Sequence, residues 1–330
     1  MNAAIANPLQ RPRATLSLDL DNLWCYQRSF GLETWRSYPS FLEIAVPRIL
    51  DFLDRLNLKV TFFVIGRDAS DPANLGLLSE IVVRGHEVGN HSFDHELALH
   101  LQSREEIEDE IRRAADAIET VTGQRPRGFR GPAFGLSQDL LEVLAGLGYD
   151  YDASTCPNSL GLLARLWHRS KASKIGSDEK VVGGLYGSLK DTGQSLRPYL
   201  WSLKDGALME VPVTTLPILR LPFHGTYLNY LADFSPALAR GYFMTALRLC
   251  KLRAVPPSFL LHASDFLGGD DSVPLTYLPG MKRSAEEKNQ FMAETLQAYS
   301  RMFEVTPIGT FADELKQQQA LPSFLPALGA

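Results

Sequence analysis

Apolar positions along this chain follow two periods in turn. Short β-rich runs occupy 14–22, 58–65, 127–130, 149–154, 207–214, 258–262 and 304–306, with a further short strand at 86–90 after Gly85. Between them lie stretches with apolar residues every three or four positions, at 40–57, 72–84, 103–122, 137–148, 235–253, 285–303 and 310–319. The first pattern suits buried strands and the second amphipathic helices. Ser103 with Glu106 three residues on is a capping box, which fixes the start of the 103–122 helix. Regular strand–helix alternation from 14 to 154 predicts parallel strands with helices packed outside them. Two stretches interrupt it. Residues 156–206 are rich in Ser, Gly, Lys and Arg, and so long a stretch without a clean pattern is expected to be a lid or poorly ordered. Residues 214–256 hold a proline-punctuated apolar run at 216–231, followed by the basic-apolar helix at 235–253. Both are read as parts of a single domain spanning 1–330.

Composition narrows the function. A net charge of −5 lacks the basic footprint of a general nucleic-acid binder. Cys25, Cys156 and Cys250 are too widely spaced for a zinc knuckle and odd in number, which fits a reducing compartment. Residues 1–13 have no apolar core of a secretory signal, and no window has the length of a membrane span. The expected location is cytoplasmic.

The chemistry gathers at strand ends. His91 and His95, four apart in a turn or the first turn of a helix, point the same way and can share one ion. Asp19 and Asp21 close the first strand run on one face, Arg130 precedes a Gly-Pro turn, and Asp152 and His262 end later strands. Each has a bland reading, as a solvated acidic turn, a core histidine or a surface arginine. Their coincidence at strand ends, where α/β folds place their sites, does not. One carboxylate and two imidazoles form a ligand set for a divalent metal with open positions for water and substrate.

These stretches resemble the polysaccharide deacetylase family, that is, the NodB-homology or carbohydrate esterase family 4 enzymes. Ser17-Leu18-Asp19-Leu20-Asp21-Asn22 is similar to a spaced form of its first motif, His91 to His95 to its second, Arg130-Gly131-Pro132-Ala133-Phe134-Gly135 to its third and Leu260-Leu261-His262 to its fifth. The resemblance implies a distorted (β/α) barrel of about seven parallel strands of the NodB-homology type. It implies Asp19 as general base, Asp21, His91 and His95 as metal ligands, and Arg130 as the residue orienting the base. The Ala133 N–H would contribute to the oxyanion hole and His262 would be the general acid. The fourth motif, an Asp-rich segment ending in Trp that tunes the acidic histidine, has no counterpart here. Asp152 is the expected substitute, with Glu210 and Asp265 as rivals.

The implied reaction is metal-assisted removal of an N-acetyl or other N-acyl group from an amino sugar. One divalent ion is the cofactor, zinc by default, with cobalt, nickel and manganese as alternatives. The absence of an export signal points to an intracellular glycan precursor, carried on a lipid or a nucleotide. The 216–231 and 235–253 segments suggest peripheral contact with a membrane, against the plainer reading of outer barrel elements. Two competing functions stay open: a metal-independent amidohydrolase of the same fold acting on a small cyclic amide or ureide, and a non-catalytic glycan-binding protein. Oligomeric state is not legible.

Overall fold

The computed structural model describes residues 11–159, 193–278, 280–318 and 321–326. Its first half runs β1 (Arg13–Asp19), α1 (Leu23–Ser29), α2 (Leu42–Arg55), β2 (Thr61–Val64), α3 (Gly66–Ser70), α4 (Leu75–Val83), β3 (Glu87–Asn90), α5 (Arg104–Thr122), β4 (Gly128–Phe129), α6 (Gln138–Gly146) and β5 (Tyr151–Asp152). The second half holds β6 (Tyr199–Leu203), β7 (Gly206–Glu210), α7 (Gly225–Phe234), α8 (Pro236–Leu252), β8 (Ser258–His262), α9 (Ala285–Met302), β9 (Glu304–Thr306), α10 (Ile308–Gln317) and β10 (Ser323–Phe324).

Seven strands form one parallel run in the order β7-β5-β4-β3-β2-β1-β8. Its two ends meet beyond β7, where Thr214 N–H donates to Ser258 O at 3.0 Å and Ser258 N–H to Thr214 Oγ1 at 2.8 Å. The barrel is therefore closed on one side by loop hydrogen bonds rather than by a regular ladder, which is its distortion. Buried on both faces, the strands read as near-continuous apolar runs: every residue from Ala14 to Asp19 and from Thr61 to Val64 is buried. Outside, α2 turns Leu42, Ala45, Val46, Ile49, Leu50 and Leu53 onto the sheet, the three-and-four spacing read from the sequence. Each of the Val, Leu and Ile side chains among them stabilises the fold by about 1.5–3 kcal/mol through burial alone.

Several elements differ from the sequence reading. Residues 23–29, given no regular element in the sequence reading, form α1, started by Asn22, whose Oδ1 accepts the Leu23 N–H at 2.8 Å. The 156–206 stretch lies partly outside the described residues, but its end holds β6, which pairs antiparallel with β7 and carries β10 on its far edge. The apolar 216–231 run holds the short helix α7, which packs against α8 and the end of β8. Among the described residues no helix is long and apolar enough to cross a membrane.

Candidate active site

At the carboxyl ends of β1 and β3 three side chains converge. Asp21 Oδ1 lies 3.3 Å from His91 Nε2 and 3.2 Å from His95 Nε2. The three donor atoms all fall within 4.8 Å of one another. Four-coordinate zinc with bonds of about 2.0–2.1 Å sets neighbouring donors about 3.3 Å apart, so the two measured separations fit an ion at their centre. Two further observations support the fit. Asp21 Oδ1 is buried with no hydrogen-bond partner among the described residues. His91 Nδ1 is 2.7 Å from Arg130 O, and a proton on that nitrogen leaves Nε2 as the free lone pair. Burial opposes charge on Asp21, yet the two imidazoles hold its carboxyl well below the usual range. For His91 burial also opposes charge, but the Asp21 contact and the Asp19 charge outweigh it and move its pKa up.

The histidine spacing does not come from a helix. Ser92 and His95 both adopt left-handed backbone (φ 62° and 46°), so the chain folds back between the two rings. Such conformations cost of order 1–3 kcal/mol and persist only where the surroundings over-determine them. Here Asn90 Oδ1 accepts the Ser92 N–H at 2.8 Å, and Glu110 Oε2 accepts the N–H groups of Phe93 at 3.1 Å and Asp94 at 2.9 Å. The carbonyls of Ser92 and Phe93 accept from Gly66 and Arg67, at 2.9 Å each. Gly66 permits this approach, since a Cβ there would lie 2.6 Å from Ala114 Cα. Trp24 stands edge-on to His95, 6.5 Å between centroids, and its Nε1 donates to Asp68 Oδ1 at 3.0 Å. Asn22 donates to the same oxygen at 2.9 Å, which ties the Asp21 loop to the wall behind His95. Burial pushes the Asp68 carboxyl up to about 6.

Beside this cluster sits a buried ion pair. Arg130 is fully buried; its Nη1 donates to Asp19 Oδ1 at 2.6 Å and to Ser17 Oγ at 2.9 Å, and its Nε to Ala153 O at 2.9 Å. The guanidinium lies over the Phe63 ring, 4.2 Å from its centroid. After Arg130 the chain enters a tight turn in which Ala133 and Phe134 have φ of 51° and 61°. His262 is the in-register neighbour of Asp19 on β8. The strands thus bring Asp19, Asp21, His91, His95, Arg130 and His262 to one end of the barrel.

Asp152 is not among the partners of His262, and this corrects the expectation that it tunes that histidine. It lies two strands beyond β3, on β5, where its carboxylate accepts from Ser154 Oγ at 2.6 Å and Ser154 N at 3.1 Å. It faces Glu210 across the β5–β7 register. Burial, then the Asp152 charge, pushes the Glu210 carboxyl well above its ordinary value, and burial raises Asp152 as well. Ser154 Oγ in turn accepts the Gly131 N–H at 2.8 Å. Asp152 therefore braces the turn after Arg130. Thr226 meets the His262 ring, Oγ1 to Nδ1 at 2.9 Å, and Asp265 pairs with His262 in a capping box in which its Oδ2 accepts the His262 N–H at 2.9 Å. Thr226, Glu110, Asn90 and Asp68 were not singled out in the sequence. Only Glu110 left a signal: a charged residue on the apolar stripe formed by Ile107, Ile111 and Ala114.

Residues 38–151 match the polysaccharide deacetylase family, a span that contains the histidine pair and the Arg130 turn, with Asp19, Asp21 and His262 outside it. A peptidoglycan deacetylase of Helicobacter pylori is 30% identical over 116 residues, 35% of this chain and 39% of that protein. The peptidoglycan-N-acetylglucosamine deacetylase PgdA of Listeria monocytogenes is 38% identical over 98 residues, 30% of this chain and 20% of that one. A chitin deacetylase of Colletotrichum lindemuthianum is 24% identical over 190 residues, 54% of this chain and 74% of its own length. The chain thus spans well under half of the first two. Among solved structures, a provisionally assigned polysaccharide deacetylase from Mycobacterium smegmatis superposes with a TM-score of 0.64 at 20% identity, covering 99% of this chain and 98% of that one. That likeness shows a shared fold.

Proposed function

We propose that this protein, whose residues 38–151 match the polysaccharide deacetylase family, is a metal-dependent hydrolase that removes an N-acetyl group from an amino sugar. The observation that carries the reading is the convergence of Asp21, His91 and His95 next to the Asp19–Arg130 pair. Asp21, His91 and His95 would hold a divalent ion, zinc by preference, which would supply Lewis-acid chemistry and lower the pKa of bound water. Asp19 takes the proton from the attacking water, with its free oxygen available because Arg130 occupies Oδ1. The Ala133 N–H, in a turn with left-handed backbone, is assigned to the oxyanion that forms as the carbonyl carbon becomes tetrahedral. His262 then gives the proton on Nε2 to the amide nitrogen as the C–N bond breaks, releasing acetate and a free amine.

The substrate we infer is an acetylated amino sugar of a glycan precursor, lipid-linked and met at the cytoplasmic face of a membrane. Tyr230, Phe234, Leu238 and Leu252 on α7 and α8 are exposed, with Arg248, Lys251 and Arg253 among them, a composition suited to an anionic bilayer surface. The metal-independent and non-catalytic readings are less well supported. Neither requires three convergent ligands or a buried carboxylate–guanidinium pair beside them.

Two variants separate the roles. Asp21→Ala is expected to lose both bound zinc and acetate release, whereas Asp19→Asn keeps zinc and loses release by at least about a hundredfold. Metal content and turnover measured on the same samples check this, and full turnover in Asp19→Asn would remove the base assignment.

A further inference from the structure

Resting on the deacetylase reading above, we propose that the hydroxyl of Thr226, rather than a carboxylate, is the positioning group that holds His262 as the proton donor. Thr226 lies in the first turn of α7, and its Oγ1 is 2.9 Å from His262 Nδ1. A donor imidazolium carries a proton on each nitrogen. When Nδ1–H donates to Thr226 Oγ1, the second N–H, on Nε2, is the one free for the leaving nitrogen. After the Nε2 proton has moved to that nitrogen, the ring retains its Nδ1 proton and the same hydrogen bond. Thr226 thereby fixes both ring orientation and tautomer without adding a charge.

The placement of Thr226 is built rather than incidental. Gly225 lets the start of α7 press against the end of β8: a Cβ there would lie 2.4 Å from Asp265 Oδ2 and 2.8 Å from Leu261 Cδ2. Asp265 joins the two elements, since its Oδ2 accepts the His262 N–H at 2.9 Å and its Oδ1 accepts from Asn229 Nδ2 of α7 at 3.1 Å. Its carboxylate is thus engaged with a backbone N–H and an amide.

The other titratable groups around His262 act at longer range. The His224 ring is 6.0 Å away between centroids, and burial, aided by the His262 charge, pulls its pKa down to about 3, so it stays neutral. From α9, Lys288 Nζ donates to Ser264 O at 2.8 Å, and from α1, Tyr26 OH donates to Ser264 Oγ at 3.0 Å. Asp19 is the register neighbour on β1 and is bonded to Arg130. A carboxylate placed on Nδ1 would raise the imidazole pKa, whereas a hydroxyl orients the ring and leaves that lever unused.

The test is histidine-selective 15N NMR on the zinc-reconstituted full chain. The His262 signals are assigned by their loss in His262→Gln, and acetate release from N-acetylglucosamine oligomers is followed across pH. In the parent protein the neutral His262 ring is expected to carry its proton on Nδ1. Thr226→Ser retains that tautomer and stays within about threefold in kcat, while the near-isosteric Thr226→Val loses it and drops kcat about 10- to 100-fold with KM little changed. Thr226→Asp, which keeps an acceptor at a helix N-terminus, is expected to move the His262 titration and the alkaline limb of activity up by about one pH unit. An unchanged tautomer and unchanged kcat in Thr226→Val would overturn the proposal. A tautomer change with no acetate released by any form, from these oligomers or from a lipid-linked N-acetyl sugar, supports the Thr226 contact and overturns the deacetylase reading, so the two fail separately.

Discussion

Asp19 and Asp21 are two positions apart and are made different by their neighbours. Asp21 meets two imidazoles and has no donor of its own, whereas Asp19 is locked to a buried guanidinium. Arg130 serves three acceptors at once, on β1 and on the chain after β5, so it ties strands together as well as placing a carboxylate. Removing one partner of a buried ion pair leaves the other charged and desolvated, which costs about 3–5 kcal/mol. Arg130→Leu is therefore expected to lose about that much stability in chemical denaturation. Arg130→Lys should recover little, because an ammonium cannot reproduce the fork that reaches Asp19 and Ala153 together. Wild-type stability and turnover in Arg130→Lys would contradict the orienting role. At this scale the sequence was informative about residue types and poor about pairings. Asp152 was matched with His262 because both end strands, yet Asp152 bonds Ser154 and faces Glu210, while His262 is met by Thr226 from a helix that left no clear pattern.

The 91–95 turn shows what an element adds. Four-residue spacing brings two rings together on a helix, but here the same result comes from two left-handed residues. The turn is held from outside by Asn90, Glu110 and the start of α3. Glu110 is the strongest of these because one oxygen satisfies two N–H groups, and burial nudges its own pKa upward. Groups that hold ligands typically govern metal affinity about 10- to 100-fold. Glu110→Ala is expected to weaken zinc binding by about tenfold in a competition titration, with Glu110→Gln close to the parent because it keeps an acceptor oxygen. Equal affinity in all three would mean that the turn holds its shape unaided. The turn's φ values were not legible beforehand: Ser92 is not a type that favours positive φ, and His95, though of a type enriched there, adopts it in only a small share of cases.

Over the whole molecule, the period of the apolar positions was enough to place the parallel run from β1 to β5 and its return at β8, because those strands are buried on both faces and their helices carry a clean apolar stripe. It failed where burial is one-sided or the apolar pattern is broken by polar residues. Strand β6 alternates buried and half-buried residues within a Ser- and Lys-rich context, and α7 spans ten residues with three tyrosine- or phenylalanine-bearing positions on its outer side. Barrel closure through Thr214 and Ser258 has no sequence signature at all, being two hydrogen bonds between a loop and a strand start. The consequence for function is that β1, β3 and β8 deliver their ends to one place, while the residues that hold those ends come from helices between them. The most direct test is acetate release from N-acetylated amino sugars, free and lipid-linked, by protein stripped with a chelator and then reloaded with zinc. Release that stops on stripping and returns with a single zinc per chain is the expected result; release that continues in protein shown to be metal-free would contradict a metal-dependent deacetylase.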